Sequence, residues 1–436
     1  MKKKKLYLVL NESINGIGGS YIYIMNKLNY YERNGYDVNV IHGGHAVFKT
    51  IIPKLKKFES NKEEEIRLPI HYLNKIRQAK YVNSIISKYN LDLYDEVIIE
   101  SSTYNQATWG ETISQKIGAK HIVLLLTEKP VITDINAYDF FCFKLKRREL
   151  CGIAQKSLAY LFKGWKQISI DESFNLPCYC NNSIDDVEFD YNNNLIKTDF
   201  TIGCLGRFDK AYFIPSLNDL KEYVEIHKDK TFTIILIGQA KSQKVNKQVD
   251  HFFDKCKNVQ TIKMGSLFPI PLKLIQKANI FIASAGSCTT IRHAGVNVIS
   301  YDGKDLKPIG IFQKTTKHSL FRSEDDYTYT LEELMNMVLF EKKYLDHNPV
   351  SDMKKINSID FSSHQLFIDS SKKEKEYYDF NIKKRSMVAL FSVLLSKMMT
   401  PHIIFKILDT TRKVFKVNFS VEQFLGKKIV CLFIML

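Results

Sequence analysis

No uninterrupted apolar run in the 436 residues approaches the ~20 needed for a helix to cross a bilayer, so a membrane-spanning chain is not expected. The eight cysteines, at 142, 151, 178, 180, 204, 256, 288 and 431, include no Cys-x-x-Cys pair and no histidine partner at zinc-ligand spacing. That excludes the common small zinc modules, and the thiols are expected to be reduced and mostly buried. Met1 to Leu10 begins with a basic run, but only five apolar residues precede Asn11 and Glu12, too few for the apolar core of a secretion signal. A cytoplasmic location is therefore the expectation. Long disordered segments are excluded as well: 25% of the residues are charged and the 12% aromatic share is carried by Tyr and Phe.

What is present is apolar material for a sizeable core, 45% of a chain long enough to divide into two domains. A net charge of +16, with a pI of about 9.2, points to an anionic partner: nucleic acid, a membrane surface or a phosphorylated substrate. Half of that excess lies in residues 372–436, where thirteen Lys/Arg accompany five Asp/Glu. Within this tail Met387 to Met399 is apolar almost all round. After a break at Pro401, Ile404, Leu408 and Phe415 share one face, with Lys406, Arg412, Lys413 and Lys416 on the other. Two readings stand: a basic amphipathic element held at an anionic membrane face, or helices packed back on the first domain with 387–399 as core. Nucleic acid is not expected as a partner, because no recognition motif accompanies the charge.

From residue 6 the chain alternates strand and helix. Leu6 to Leu10 reads as a strand, Ser20 to Asn34 as a helix with Ile22, Met25 and Leu28 on one face, and Asp37 to Ile41 as the next strand. Strands follow at Glu96 to Ile99 and His121 to Leu126, with helices at Ile76 to Tyr89 and Thr108 to Ile117. The Asn- and Asp-rich stretch NNSIDDVEFDYNNNLIKTD, 181–199, reads as a linker. A second series then places strands at Phe200 to Leu205, Phe232 to Ile237, Val259 to Lys263, Ile280 to Ala283 and Val298 to Tyr301, with a closing helix at Leu331 to Tyr344. This pattern predicts an α/β chain of two doubly wound parallel-sheet halves with a cleft between them, ligands binding beyond the carboxyl ends of the strands.

Three stretches could carry chemistry. INGIGGSYIY, 14–23, follows the first strand, but Tyr21 stands where a dinucleotide fingerprint needs its third glycine, and the second strand ends in His42, Gly43 and Gly44 rather than an acid. No Walker lysine follows either, so what remains is a glycine turn that frees N–H groups at a helix start, or a tight packing turn. IGCLGRFDK, 202–210, puts Arg207 and Lys210 at a strand end, able to grip phosphate oxygens or to form a surface pair near Asp209. FIASAGSCTTIRHAGVNVISYDG, 281–303, runs from a strand into small and hydroxyl residues that can open a helix under a diphosphate. Cys288 reads there as a packed small residue rather than a nucleophile, and His293 as structural.

Taken in order, GIGGS, GRFDK, LIGQA at 236–240 and KANIFIASAGS with AGVNVIS resemble the family 4, group 1 glycosyltransferases of the GT-B fold. The resemblance covers about residues 5–345 and is strongest over 200–303. It implies two Rossmann-like domains, 1–198 for the acceptor and 199–345 for the nucleotide-sugar donor, with a helical, basic extension at 346–436. It also implies a hexosyltransferase that moves sugar from a nucleotide diphosphate sugar to a glycan or lipid-linked acceptor in cell-surface polysaccharide synthesis. Retention of configuration is the family expectation, with no cofactor and no metal; no D-x-D motif closes a strand, so fixed cations would replace a divalent ion.

On this resemblance Gly18 and Gly19 lie near donor phosphates or acceptor, and Arg207 and Lys210 neutralise the leaving diphosphate. Gly286, Ser287, Cys288, Thr289 and Thr290 form the loop under phosphates and ribose. Glu128, in LLLTEKP, stands where the family often has an acceptor-side histidine; it would position the acceptor or the reacting sugar, or it is a surface acid. The family's paired glutamates are missing, with Thr290 near the second position. That keeps open a non-catalytic GT-B protein that binds a nucleotide sugar or partners an active enzyme. The location implied is the cytoplasm, at the inner face of the plasma membrane.

Overall fold

The computed structural model describes residues 3–16, 18–44, 50–127, 130–132, 134–153, 155–165, 168, 170–186, 197–344, 359–371, 376–380 and 387–415. They fall into two units, one drawn from Met1–Gly16, Ile24–Cys178 and Asp360–Leu436, the other from Ile17–Tyr23 and Tyr179–Ile359.

The first unit is built on β1 (Lys5–Asn11), α1 (Gly19–Arg33), β2 (Asp37–His42), α2 (Pro53–Lys56), α3 (Lys75–Lys88), β3 (Glu96–Ser101), α4 (Tyr104–Ile117), β4 (Lys120–Leu125), α5 (Ile135–Lys146), β5 (Leu150–Gly152) and α6 (Gln155–Leu161). Its strands are all parallel, in the order β2-β1-β3-β4-β5. Residues 6–11 of β1 are buried on both faces, as a parallel strand covered by helices requires. α3 begins where the Asn74 side chain accepts the Arg77 N–H, and α4 ends on Gly118 in the left-handed conformation (φ 71°). The sequence places the start of α4 at Thr108, but the helix opens four residues earlier, because extended Thr103 is its N-cap and the polar TYNQ run is its first turn rather than a loop. β5 has three residues, too few for any periodicity; its pairing of Val123 with Leu150 is decided by the neighbouring strand.

The second unit holds β6 (Ile184–Asp185), β7 (Phe200–Leu205), α7 (Phe213–Ile226), β8 (Phe232–Ile237), α8 (Gln243–Asp250), β9 (Val259–Gly265), β10 (Ile270–Pro271), α9 (Leu272–Gln276), β11 (Ile280–Ala283), α10 (Gly286–His293), β12 (Asn297–Tyr301), β13 (Pro308–Ile311) and α11 (Leu331–Leu339). The sheet runs β13-β12-β11-β7-β8-β9. Only β13 is antiparallel; its leading Pro308 suits an edge, and a short proline-led segment carried no strand signal in the sequence. The expected linker is structured at its start, where β6 pairs with β10. α11 opens with a Thr330–Glu333 capping box but stops at Leu339 rather than Tyr344, since Lys342 and Tyr344 adopt positive φ (50° and 63°).

Among the described residues of the tail, three helices belong to the first unit: α12 (Ser362–Asp369), α13 (Met387–Leu395) and α14 (Pro401–Phe415). His364 on α12 is buried; its Nδ1 accepts from the Lys27 ammonium at 2.8 Å and its Nε2–H donates to the Pro177 carbonyl at 2.9 Å. Burial, followed by the Lys27 charge, pushes its pKa down to about 2, so the ring is neutral. Ala389, Ile404 and Leu408 bury against Leu68 and Tyr72, so α13 and α14 are packed back on this unit. Of the two readings of this stretch, the packing of Ala389 with Val388, Leu395 and Met399 fits helices folded back on the first unit, and Leu390, Leu394 and Met398 are left exposed on the other side. Of the seven described cysteines, all are free thiols, with four buried and Cys142, Cys178 and Cys180 half-buried.

Candidate functional site

In the second unit the parallel strands follow the order β9-β8-β7-β11-β12, so the chain builds outward from β7 and then returns to β11 on its other side. Strand order reverses between β7 and β11, and ligands of open α/β sheets bind at such a point, beyond the carboxyl ends. Gly203 permits the close approach of these strands, since a Cβ there would lie 2.2 Å from the Phe281 ring. The last paired residues are Leu205 and Ala283. GRFDK and SAGSCTT, singled out in the sequence as separate motifs, both begin immediately past that pair.

Arg207 is 31% exposed, and its Nε–H donates to Asp209 Oδ1 at 3.0 Å. Its terminal Nη groups have no hydrogen-bond partner among the described residues and remain available to an anion. Lys210 is exposed, forms no ion pair among the described residues, and is joined to Arg207 by a turn in which its N–H donates to the Arg207 carbonyl at 3.2 Å. The glycine loop lies beside them. Residues 17–23 cluster with this unit, and a Cβ at Gly18 would sit 3.5 Å from Arg207 Nη1. The Gly18 carbonyl accepts the N–H groups of Tyr21 and Ile22, opening α1 with no acid in its first turn. The positive helix end is thus left for an external anion.

The sequence reading overlooked Cys180. A Cβ at Gly19 would lie 3.2 Å from Cys180 Cβ, and one at Gly286 would lie 2.9 Å from its carbonyl oxygen and 3.0 Å from its Sγ. Both glycines therefore pack against one residue, and a side chain at Gly286 would displace the 180–182 backbone. Nothing local in NLPCYCNN signals this, because the constraint sits on the glycines.

α10 starts from Ala285, which holds φ 55° and ψ −134°, a conformation natural to glycine; its N–H donates to the Ser319 carbonyl at 2.6 Å. No side chain caps the helix and no acid occupies its first turn. Strain of this kind costs about 1–3 kcal/mol for a residue with a Cβ. Ala285→Gly is accordingly expected to raise unfolding free energy by about 1 kcal/mol after the entropy cost of glycine, measured by urea denaturation. A loss of stability would mean the backbone there is not strained.

The five sequence-selected residues of α10 divide by orientation. Gly286, Ser287 and Thr289 are half-buried, whereas Cys288 and Thr290 are buried. The Cys288 thiol points to the Ser319 carbonyl at 3.9 Å, and burial raises its pKa, so it is an inert packing group. The Thr290 hydroxyl accepts the Asn182 N–H at 3.0 Å and donates to the Gly286 carbonyl at 3.1 Å, which ties the segment after Cys180 to the helix start. Glu128 lies outside the described residues. No cluster of three metal-ligating side chains occurs among the described residues.

No protein-family model matches the chain, and no curated protein sequence matches it. Among solved structures, a glycosyltransferase from Rickettsia africae ESF-5 is 16% identical, with a TM-score of 0.52, covering 95% of this chain and 100% of that one. The chain has the GT-B fold. Weaker likenesses, too low to carry argument, are to sucrose-phosphate synthase from Thermosynechococcus elongatus (TM-score 0.47, 12% identity, 84% of this chain and 95% of that one) and to UDP-GlcNAc 2-epimerase from Methanocaldococcus jannaschii (TM-score 0.37, 14% identity, 81% and 97%). In this GT-B chain the β7/β11 crevice offers a guanidinium, an ammonium, two helix starts and hydroxyl groups, a set suited to a diphosphate. Among the described residues no helix is long and apolar enough to cross a membrane.

Proposed function

We propose that the chain is a family 4, group 1 type glycosyltransferase that transfers a hexose from a nucleotide diphosphate sugar to a glycan or lipid-linked acceptor in cell-surface polysaccharide synthesis. The supporting observation is the meeting of Arg207, the Gly18 loop and the uncapped start of α10 at the strand-order reversal of the second unit. In the transfer, an acceptor hydroxyl bonds to the anomeric carbon and loses its proton, while the bond to the diphosphate oxygen breaks. Negative charge grows on the departing nucleoside diphosphate, where Arg207, Lys210 and the N–H groups of α10 would stabilise it. These fixed cations suit a metal-independent reaction. Donor binding falls to the second domain, acceptor binding to the first, with Glu128 the candidate for positioning the acceptor or sugar.

The test is a thermal-shift panel of UDP-, GDP-, ADP- and CDP-sugars, followed by transfer from the radiolabelled donor that stabilises the chain. One donor class is expected to raise Tm, because a ligand of the folded state stabilises it by mass action. Failure of every donor would remove this reading. A second reading, a non-catalytic nucleotide-sugar-binding or partner protein, draws support from Thr290: it is buried and doubly bonded near where the family has a donor-binding glutamate. A donor that raises Tm without transfer or hydrolysis would favour it.

A further inference from the structure

Residues 312–330, between β13 and α11, contain no helix or strand. Loops longer than about 12–15 residues without secondary structure are uncommon in compact domains, and those that are ordered usually serve a function. Two carboxylates order this one. Asp302, just past β12, accepts the Lys304 N–H at 2.5 Å and the Arg322 N–H at 2.6 Å, and the Arg322 guanidinium donates in turn to the Pro308 carbonyl at 2.6 Å. Asp326 accepts the Thr316 hydroxyl at 2.8 Å, the His318 Nδ1–H at 2.7 Å and the Ser323 N–H at 2.7 Å.

Between these clamps the loop crosses the carboxyl ends of β11 and β12. The Ser300 hydroxyl, on β12, donates to the His318 carbonyl at 2.9 Å; the Ala285 N–H, just past β11, donates to the Ser319 carbonyl at 2.6 Å; and the Gly303 N–H, just past β12, donates to the Leu320 carbonyl at 2.8 Å. Three successive carbonyls are thus tied down beside the start of α10. The next residue, Phe321, is 44% exposed. Its ring lies over Gly303, where a Cβ would stand 3.4 Å from it, and no other ring or cation packs on it among the described residues. A single exposed apolar side chain is ordinary on a protein surface. This one is distinguished by its place, two residues from the carbonyl that holds Ala285, on a loop fixed at both ends.

We propose that Phe321 is the stacking platform for the hexose ring of the nucleotide-sugar donor, a reading that rests on the function proposed above. Phe321 follows the Ser319 contact by at most ~7 Å of chain, so it stands close to a phosphate at the α10 start. A hexose is bonded directly to its phosphate, whereas a nucleobase is held off by the ribose as well; the ring within reach is the sugar. The side chains of α10 leave this task open, since Cys288 and Thr290 are buried and Thr290 is committed to Asn182 and Gly286. An aromatic face covers the C–H face of a pyranose, and a ring already fixed in place pays little ordering cost on binding.

The experiment is calorimetric titration of the full chain, wild type and Phe321→Ala, with the nucleotide sugar that stabilises the wild type and separately with its free nucleoside diphosphate. Phe321→Ala is expected to weaken the nucleotide sugar about fivefold to tenfold and to leave the nucleoside diphosphate unchanged, and Phe321→Tyr should restore the wild-type value. The ligand-free Tm of each variant controls for the fold. Wild-type affinity for the nucleotide sugar in Phe321→Ala would overturn the proposal while the proposed function stands. Equal weakening of both ligands would also overturn it, by placing the nucleoside rather than the hexose on the ring. Binding of neither ligand by the wild type would remove the proposed function, and this inference with it.

Discussion

Arg207→Ala is expected to lower sugar transfer about 10²- to 10³-fold while leaving the fold intact, the range for removing one preorganised group that stabilises developing charge. The fold should survive because the side chain is part-exposed and its ion pair is with Asp209, two residues away, a class of pair worth about 0–1 kcal/mol. Arg207→Lys separates charge from shape: an ammonium restores charge without the planar fork, so only part of the rate should return. Steady-state kinetics on the donor identified by the thermal-shift panel, with the unfolding midpoint as control, provides the check. Wild-type turnover in Arg207→Ala would remove Arg207 from the chemistry.

The second large effect lies in the first unit, away from the candidate site. Lys144 is buried, and its ammonium donates to Glu111 at 2.8 Å, to Glu149 at 2.5 Å and to the His121 carbonyl at 3.0 Å. Glu111 also accepts the His121 Nδ1–H at 2.8 Å and the backbone N–H of Tyr378, from the tail, at 2.9 Å. Lys144→Ala leaves two buried carboxylates without their shared cation and should cost about 3–5 kcal/mol. Lys144→Met combined with Glu111→Gln should cost less than Lys144→Ala, since charge is removed from both sides. Denaturant unfolding measures both; equal costs would show that the charges do not interact.

The same cluster sets an acid limit. Burial alone would raise the Glu111 carboxyl, but Lys144 and His121 outweigh it and hold it well below the ordinary value of 4.5. A carboxylate with a depressed pKa contributes stability that is complete above its unfolded value and is lost as pH falls below it. His121 is pushed down to about 4 by burial and by the Lys144 charge, so it stays neutral while the unfolded chain takes up a proton from 6.5 downward. Stability should therefore decline from pH 6.5 toward 4, then further as Glu111 is driven to protonate. His121→Gln should make the first part of that decline shallower, with the remainder carried by His364, which is also held neutral with a pKa of about 2, read as the urea midpoint across pH.

The central strands of the second sheet were legible because each is a short run of mostly buried residues, a property written in consecutive positions: Phe200–Leu205, Phe232–Ile237 and Ile280–Ala283 carry the bounds expected of them. The motifs at their ends were legible too, since Arg207, Lys210 and the small residues of 284–290 stand at strand termini in any α/β arrangement. β5 and β13 were not, because their strand character comes from a neighbour rather than from their own three or four residues.

By itself, then, the sequence determined the alternation of elements, the α/β class and the places where phosphate-binding groups could project. Strand order was the tertiary structure's decision, and with it the fact that β7 and β11 are adjacent and that GRFDK and SAGSCTT open on one crevice. Tertiary packing also turned Cys288 and Thr290 inward, set Cys180 against Gly19 and Gly286, and exposed the apolar side of α13. The physical reason is range. Periodicity and turn chemistry act over a few residues, whereas strand neighbours and the buried side of a uniformly apolar helix depend on partners distant in the chain, as Asn74 is from Ser396.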